Sequence, residues 1–419
     1  MSEMSSNAMM NSEDLTQEEL SILQSDLVGN SAHSARWIIG VMKCLVKVPE
    51  DGFSGELEEK YRLLFEISSN TDVKNFLILH NFINLATSLL DYFDEPLNLI
   101  EITIGILANL CHDEIVIDLI AEKTNIVEKI FGFLKSYDLW VLIQIIRFLQ
   151  LVVRRINNNS KTIWYHHIKN CEYLGECIIF ILKSSFYNNL LIETISLLYY
   201  MAWAEFEATY ILVEVFQTSP DTLVPGMLEC FLEIIKEQDV HSFSDLKIME
   251  KWLYIFKIAK KISSINLTFH DKSKWTNVMT RLLTPYMRCA CFSEEDISLI
   301  EMTIIDIMDT WRISNIKVPL EVQRSLAHVT CNIDKVLDNC LTCSKPQTST
   351  VLLIELQSVT NIYWLEVIES SDIEEIVEIM FPFKAYSCNY LVKLGQCKEK
   401  IPHSTSVKIR NIVTDIEES

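Results

Sequence analysis

A short sequence pattern returns along this chain at a nearly constant interval. The tripeptide Leu-Lys-Ser stands at 134–136 and again at 182–184, and Leu-Asp stands at the equivalent place at 90–91. Each copy closes an apolar stretch of helical spacing and is followed after a few residues by another such stretch. The two intervals are about 44 and about 48 residues. Because one helical hairpin cannot bury its own apolar face, the interval predicts hairpins that stack on one another.

Glycine and proline are scarce, which argues against folds that need many tight turns. The 419 residues include 9 Gly and 9 Pro, whereas average usage gives about three times as many Gly and about twice as many Pro. Strand-to-strand turns depend on these residues, so a sandwich, a barrel or a Rossmann fold is disfavoured. The predicted fold class is all-α. It is an armadillo/HEAT-like alpha-alpha superhelix, a right-handed solenoid of roughly seven to nine helical hairpins.

Composition divides the chain into a tail, one long domain and a short C-terminal segment. Residues 1–30 are acidic and contain no Lys or Arg, so we expect a disordered tail. Within it, the segment Thr-Gln-Glu-Glu at 16–19 fits either a helix capping box or an acidic-directed kinase site. Residues 31–400 are predicted to form a single armadillo-like solenoid, and residues 401–419 a C-terminal helix or tail. Later helix pairs are expected at 227–236 with 248–262, 275–287 with 297–313, and 322–341 with 351–368.

Several residues mark the expected starts of helices. Pro96 and Pro319 are expected in the first turn, where a missing N–H costs nothing. Ser293 precedes three acidic residues and is expected to cap the helix that follows. Ser371, with Glu374 three residues later, is expected to cap another.

Charge and cysteine content restrict the partners and the compartment. The net charge of −21 repels phosphate backbones, so nucleic acid is an unlikely partner. The same charge suits a basic partner or simply solubility, and we favour solubility. The 12 cysteines follow no framework spacing and the N-terminus has no secretory pattern, so we expect a reducing compartment, the nucleus or the cytoplasm. The most apolar stretch, 139–153, carries polar residues at helical spacing, which predicts a buried helix and no membrane span.

One part of the chain resembles a known family. The run Ser-Ala-Arg-Trp-Ile-Ile-Gly-Val at 34–41 is similar to the opening signature of the serum amyloid A-like protein 1 family. Asp-Val at 72–73, Phe-Leu at 76–77 and Gly-Ile-Leu-Ala-Asn-Leu at 105–110 follow in that family's order and spacing. The resemblance covers roughly residues 31–155. It implies an armadillo-like helical fold, no catalytic activity, a nuclear or cytoplasmic location and an association with promotion of cell proliferation.

A set of polar residues at matching places in successive hairpins gives a candidate partner-binding surface. Asn109 stands where armadillo proteins present an Asn, whose amide can donate to and accept from the backbone of an extended peptide. Gln150 and Tyr200 hold that place in the next two hairpins, so the ladder is degenerate. The alternative is that Asn109 bonds a neighbouring turn, and this alternative is favoured.

Arg147 and Arg154 complete the candidate binding set. With the adjacent Arg155 they form the one concentrated basic patch in an acidic chain, which would suit an acidic peptide. The alternative is a helix C-terminus where positive charge favours the helix dipole. Tryptophans fall about one per hairpin, and we expect them in the core. They are Trp37, Trp140, Trp203, Trp252, Trp275, Trp311 and Trp364.

Signals for chemistry are weak. His328, Cys331, Cys340 and Cys343 include potential zinc ligands, but the inner gap of eight residues is shorter than the usual finger spacing, and two buried positions on one helix face would look the same. His167 and Cys171 share a helix face without a visible orienting group. No phosphate loop or hydrolase signature is present in the sequence. We therefore predict no catalytic residue, no metal, no cofactor and no small-molecule substrate.

The expected function is that of a non-enzymatic scaffold or regulator. The chain is expected to bind a protein partner whose identity the sequence does not give, in the manner that the resemblance implies. The alternative is an RNA- or chromatin-associated helical-repeat regulator, against which the net charge speaks.

Overall fold

The structure is a computed structural model. It describes residues 26–31, 33–92, 96–159, 162–206, 209–217, 220–236, 238–239, 243–262, 269–314, 317–342, 348–396 and 401–419. These residues are nearly all helical, which confirms the all-α prediction. The chain forms two compact units, Met1–Leu174 and Gly175–Ser419, where the sequence suggests a single domain over 31–400.

The first unit is built from helices that precede Leu174. They are α1 (Ala35–Val46), α2 (Val48–Asp51), α3 (Gly55–Ile67), α4 (Thr71–Leu79), α5 (Phe82–Tyr92), α6 (Leu97–Leu110), α7 (Glu114–Ala121), α8 (Thr124–Gly132), α9 (Leu139–Asn158) and α10 (Trp164–Asn170). A 3-10 turn, Phe133–Lys135, follows α8.

The second unit continues with longer helices and one very short β-hairpin. Its elements are α11 (Leu174–Ser184), α12 (Asn188–Trp203), β1 (Glu205–Phe206), β2 (Thr209–Tyr210), α13 (Ile211–Phe216), α14 (Pro220–Ile234), α15 (Leu246–Ile262), α16 (Phe269–Leu283), α17 (Glu294–Ser314), α18 (Leu320–Thr342), α19 (Thr348–Ser370), α20 (Ile373–Met380), α21 (Lys384–Gln396) and α22 (His403–Glu418). The strands pair antiparallel. Two 3-10 turns, Thr284–Arg288 and Phe381–Phe383, follow α16 and α20.

Helices in each unit pack in two layers. In the first unit α3, α6 and α9 pack in series, while α1, α5 and α8 form the second layer behind them. In the second unit α12, α15, α17 and α19 pack in series, and α14, α16, α18 and α20 form the second layer. Contacts between α14 and α15, α16 and α17, and α18 and α19 confirm the three predicted helix pairs. Each layer buries the apolar face that one hairpin leaves exposed.

Residues 71–203 contain short helices that the hairpin description does not include. A short helix, α4, α7 or α10, precedes each of the longer pairs and has 9, 8 and 7 residues respectively. Asn70 caps α4 by accepting hydrogen bonds from the backbone N–H groups of Asp72 and Val73. Asp113 caps α7 in the same way, through the N–H of Ile115. The hairpin description is therefore corrected for residues 71–203.

A close approach holds α3 against α6. A Cβ atom added at Gly105 would lie 2.6 Å from Cε2 of Phe65, so only glycine lets the Phe65 ring reach α6 in this position. On the same pair of helices the hydroxyl oxygens of Tyr61 and Thr103 lie 3.0 Å apart in the core. The glycine in the 105–110 motif thus serves helix packing.

The chain is ordered from before the predicted end of the tail. Val28 is 5% exposed, and the N–H of Asn30 donates to Asp72 Oδ2 at 2.9 Å. The Ser34 hydroxyl donates to Asp26 Oδ2 at 2.5 Å. The same hydroxyl oxygen accepts from the backbone N–H of Trp37 and so caps α1. Residues 26–31 therefore belong to the first unit. The segment 16–19 lies outside the described residues.

Helix starts agree with the sequence in part. Ser293 Oγ accepts from the N–H of Asp296, and the Asp296 carboxylate accepts from Ser293, which confirms the predicted cap of α17. Pro96 is the N-cap of α6 and does not lie in its first turn. Asp372 occupies the N-cap of α20, so Ser371 does not cap that helix. Residues 401–419 include α22, which packs on α19, α20 and α21.

Burial of the tryptophans differs from the expectation. Trp252 and Trp364 are fully buried and Trp275 is 3% exposed. Trp140 and Trp203 are 56% and 54% exposed, so the core prediction is wrong for them. The intermediate cases are Trp37 and Trp311.

One helix among the described residues, Thr350–Ser370, is long and apolar enough to cross a membrane by length and composition alone. In the structure it is part of α19, and side chains such as Tyr363 and Trp364 are buried against neighbouring helices. A packed core helix passes the same test, so the expectation of no membrane span stays a prediction.

Candidate functional site

Asn109, the first of the predicted binding residues, is engaged within the first unit. Its side chain is 7% exposed, and its Nδ2 donates to Ser68 Oγ at 2.8 Å and to the Phe65 carbonyl at 3.3 Å. Its Oδ1 accepts from Arg147 Nη2 at 3.4 Å. Both acceptors of the amide N–H groups lie at the end of α3, so this side chain bonds a neighbouring turn, as in the alternative favoured above.

Arg147, Gln150 and Arg154 lie along one face of α9. Arg147 is half-buried, and its second donor, Nη1, binds Gln144 Oε1 at 2.7 Å. Gln150 is half-buried and Arg154 is exposed. The structure therefore joins Asn109 directly to Arg147 and places the other two residues along the same helix face within two turns of Arg147.

Arg155, the neighbour of Arg154, has a different role. Its guanidinium binds both carboxylate oxygens of Asp118, at 3.0 and 2.5 Å, and also Glu114 at 2.6 Å. This bidentate pair ties α9 to α7. The predicted basic patch therefore loses Arg155 to packing within the unit.

Two residues that the sequence did not single out join the basic patch of the first unit. The pKa of His112 lies below its ordinary value because of partial burial first, and then because of the positive charges of Lys74, Arg147 and Arg154. Three cations thus act on one exposed imidazole. The term "basic patch" below means Lys74, His112, Arg147 and Arg154.

Replacing Arg154 by glutamine is expected to raise the pKa of His112, because one positive charge that disfavours the imidazolium is removed. The measurement is an NMR pH titration of the His112 ring protons. Lys43→Gln on α1 is the matched control, since Lys43 does not act on His112. An unchanged His112 pKa in Arg154→Gln contradicts the patch.

Tyr200, the last predicted residue, belongs to an aromatic cluster of the second unit. Tyr199 and Tyr200 lie in the last turns of α12, which ends at Trp203. The rings of Trp203 and Tyr254 stack with centroids 5.1 Å apart and planes 9° apart. Tyr199 packs edge-on against both, at 6.1 and 5.5 Å, and Tyr200 contacts Tyr199 at 6.1 Å. Two neighbouring helices, α12 and α15, position the four rings.

The β-hairpin adds a fifth ring. The N–H of Ile211 donates to the Ala204 carbonyl at 2.9 Å, which returns the chain toward the end of α12. Tyr210 is 43% exposed. The pKa of Tyr254 lies above its ordinary value, first because of partial burial and then because of the Tyr210 phenol. The hairpin therefore brings the Tyr210 hydroxyl near that of Tyr254.

Two of these rings, Tyr210 and Tyr254, line a groove of about 660 Å³ between α13, α15 and α17. Its floor includes Leu253, and its walls are mostly aliphatic. The half-buried wall residues are Val213, Ile258, Ile262, Met302 and Ile305. The name "aromatic groove" below means this groove together with Trp203, Tyr210 and Tyr254.

Lysines on α15 give the aromatic groove a basic side. Lys257 is 3.9 Å from Asp309 Oδ2, too far for a hydrogen bond, and Lys261 is exposed with no carboxylate partner among the described residues. Asp306 also lines the groove, but Lys260 Nζ lies 2.5 Å from its Oδ1. The groove can therefore take an apolar side chain against its rings and a carboxylate beside Lys257 or Lys261.

The predicted ligand and catalytic pairs show structural roles where they are described. The Nε2 atom of His167 is 2.8 Å from the Ala121 carbonyl. Burial raises the pKa of the Cys331 thiol to about 12, and partial burial lowers that of His328. Cys343 lies outside the described residues, and in the described part of the chain no three His, Cys, Asp or Glu side chains are grouped to hold a metal ion.

Sequence reasoning missed the aromatic groove because its rings looked like core residues. The spacing of Tyr199, Tyr200 and Trp203 at the end of a helix was the available signal, with Tyr254 on the helix that packs beside it. Periodicity shows that such residues share a face but not whether a neighbouring helix covers it.

Comparisons with known proteins show little likeness. No family model matches the chain, and no curated protein matches it. Among solved structures, an engineered protein is 15% identical, covering 90% of this chain and 99% of its own, with a TM-score of 0.28. A second solved structure concerns a conserved phosphorylation switch that controls the interaction between cadherin and beta-catenin. It is 10% identical, and the match covers 96% of this chain and 95% of that one, with a TM-score of 0.32. Superpositions at these TM-scores do not establish a shared fold.

Proposed function

We propose that this chain is a non-enzymatic scaffold that binds a segment of another protein in its aromatic groove. The observation that carries the proposal is the stack of the exposed Trp203 ring on Tyr254, which lines the same groove as the exposed Lys261. The segment bound has an aromatic or aliphatic anchor and at least one carboxylate. We also propose that the chain forms a right-handed armadillo-like superhelix of the serum amyloid A-like 1 type. Its proposed location is the nucleus or cytoplasm, and its proposed association is with cell proliferation.

The exposed rings support a protein partner. Keeping a Trp side chain more than half in water forgoes the free energy that its burial would supply, about 25 cal/mol per Å² of apolar surface. Tyr and Trp are enriched at protein interfaces because they bury large area at little cost in conformational entropy. The groove volume of about 660 Å³ accommodates one or two such side chains.

Charge supports an acidic segment over a nucleic acid. Lys257 and Lys261 lie four residues apart on α15, so a carboxylate of the segment can reach either. A nucleic acid would also stack on the rings, but its phosphates would meet a chain of net charge −21. An acidic peptide brings fewer charges and meets less repulsion.

Selection from a display library of random short peptides tests the proposal. We expect enriched sequences that combine Asp or Glu with Phe, Trp or Leu. Trp203→Ala is expected to weaken binding of a synthetic enriched peptide about tenfold or more, because a buried aromatic contact typically contributes about 2 kcal/mol. Lys261→Glu is expected to weaken it further through repulsion. Fluorescence polarisation measures both effects.

Trp140→Ala is the matched control, since Trp140 is exposed to the same extent but lies in the other unit. Unchanged peptide affinity in Trp203→Ala contradicts the groove as the binding site. Failure to enrich any sequence, or salt-sensitive binding of a single-stranded RNA in place of a peptide, contradicts the proposed function itself.

A further inference from the structure

A second pocket of the second unit differs from the aromatic groove in its chemistry and shares no lining residue with it. It has a volume of about 460 Å³. Arg288 follows α16, His328 and Lys335 lie on α18, and Tyr386 lies on α21. No Asp or Glu is among the residues that line it.

The two cations of this pocket have no carboxylate partner among the described residues. Arg288 and Lys335 are exposed, and Lys335 Nζ lies 5.4 Å from the centroid of the Tyr386 ring. The neighbouring carboxylates of Asp334 and Asp338 are both bound by Lys393, at 2.9 and 2.6 Å. The charge of Lys335 is therefore not neutralised by the acids of its own helix.

Hydrogen bonds fix the segment that carries Arg288. Asn332 Nδ2 donates to the Tyr286 carbonyl at 2.9 Å and to the Cys289 carbonyl at 2.8 Å, which ties both sides of Arg288 to α18. The nearby Asp296 carboxylate is held by Ser293 at the start of its helix. Arg288 is thus presented by a pinned backbone.

The pKa of His328 is affected by the positive charge of the pocket. Partial burial lowers its pKa, and the positive charge of Arg288 lowers it further. The charge of Arg288 therefore reaches His328 across the pocket wall. The ring also packs against Phe383 with centroids 4.5 Å apart, which fixes its orientation. A neutral imidazole supplies one hydrogen-bond donor and one acceptor.

We infer that this pocket binds a phosphate monoester through Arg288, Lys335 and His328. A guanidinium binds two phosphate oxygens at once, and an ammonium adds a point charge, so the pair matches a dianion better than a single carboxylate. The volume exceeds that of the phosphate group, so the pocket also takes part of the organic group that carries it. The ligand chemistry is shared by a small phosphorylated molecule and a phosphorylated side chain.

Isothermal titration of the full chain at fixed ionic strength tests the inference with three probes. These are inorganic phosphate, O-phospho-L-serine and a phosphoserine peptide, each compared with its unphosphorylated form or with chloride. We expect saturable binding of a phosphorylated probe, and the tightest of the three identifies the source of the group. Arg288→Gln and Lys335→Gln are each expected to weaken that binding by about ten- to a hundredfold.

Lys247→Gln, at an exposed lysine of the second unit that lines neither pocket, is the control and is expected to leave phosphate binding unchanged. Circular dichroism establishes that each variant folds. Absence of saturable binding by all three probes, or wild-type affinity in both pocket variants, overturns the inference. Neither result bears on peptide binding in the aromatic groove, since the two sites have separate variants.

Discussion

Replacing Lys260 by methionine is expected to lower the free energy of unfolding of the second unit by about 3–5 kcal/mol. Lys260 Nζ lies 2.5 Å from Asp306 Oδ1 and 2.7 Å from Thr310 Oγ1, and it is 10% exposed. Asp306 is 2% exposed. The methionine removes the nearest cation from a buried carboxylate, which costs far more than losing an exposed ion pair.

Lys261→Met is the matched control, because Lys261 is the next residue and is exposed. We expect it to change the free energy of unfolding by no more than about 0.5 kcal/mol. The double variant Lys260→Met with Asp306→Leu is expected to recover most of the loss, because no unpaired charge remains. Urea denaturation followed by circular dichroism measures all three. A loss in Lys260→Met equal to that of the control contradicts the buried-pair account.

Acidification is expected to reduce the effect of Lys260→Met. Burial raises the pKa of the Asp306 carboxyl, and Lys260 opposes that increase, so the pKa rises further when Lys260 is removed. A carboxyl whose pKa is raised in the folded state destabilises the fold only at pH values above its unfolded-state pKa, because only there does the unfolded chain ionise it more readily. The cost is lost as pH falls through the folded pKa, so the two proteins converge in stability at acidic pH.

Replacing Trp164 by alanine is expected to lower the free energy of unfolding of the first unit by about 3–5 kcal/mol. Trp164 is fully buried on α10, and its Nε1 donates to the Ile117 carbonyl at 3.1 Å. Its ring packs edge-on against Phe148, with centroids 5.7 Å apart. The alanine leaves a cavity and a buried carbonyl without its donor, so two costs add.

Trp140→Ala serves as the control in the same unit, since Trp140 is 56% exposed and is expected to lose about 0.5 kcal/mol or less. Urea denaturation of both variants gives the comparison. Equal losses at Trp140 and Trp164 would contradict the assignment of Trp164 to the core. Trp164 is also the one tryptophan missing from the predicted series, because it lies on a helix that the hairpin description does not contain.

Long helices could be predicted from the sequence and short ones could not. A helix such as Leu246–Ile262 repeats its apolar spacing over several turns, so its position was predicted within two residues at its start. Helices of 7 to 9 residues, such as Glu114–Ala121, show only two apolar turns and resemble a connection. The predicted start at 227 also fails, because Pro220–Ile234 runs through Pro225. Local proline chemistry is overridden there by packing on α15 and α16.

The candidate sites were predictable only in part. Arg147 and Arg154 were found from their charge, and the structure adds Lys74 and His112 from segments distant in sequence. Asn109 matches a recognised position, but its amide is used between helices. The aromatic groove and the pocket that holds Arg288 and Lys335 each require three elements to converge, which periodicity along one helix does not reveal.

The serial packing of α12, α15, α17 and α19 has a consequence for how binding in the aromatic groove would change the local stability of these helices. Each of these helices makes extensive contacts with the next in the row, so stiffening passes along it stepwise and not through a common centre. Amide hydrogen exchange should therefore slow most in α12 and α15 when the aromatic groove is filled, and progressively less toward α19. Filling the groove is therefore expected to change amide protection in graded steps from α12 to α19.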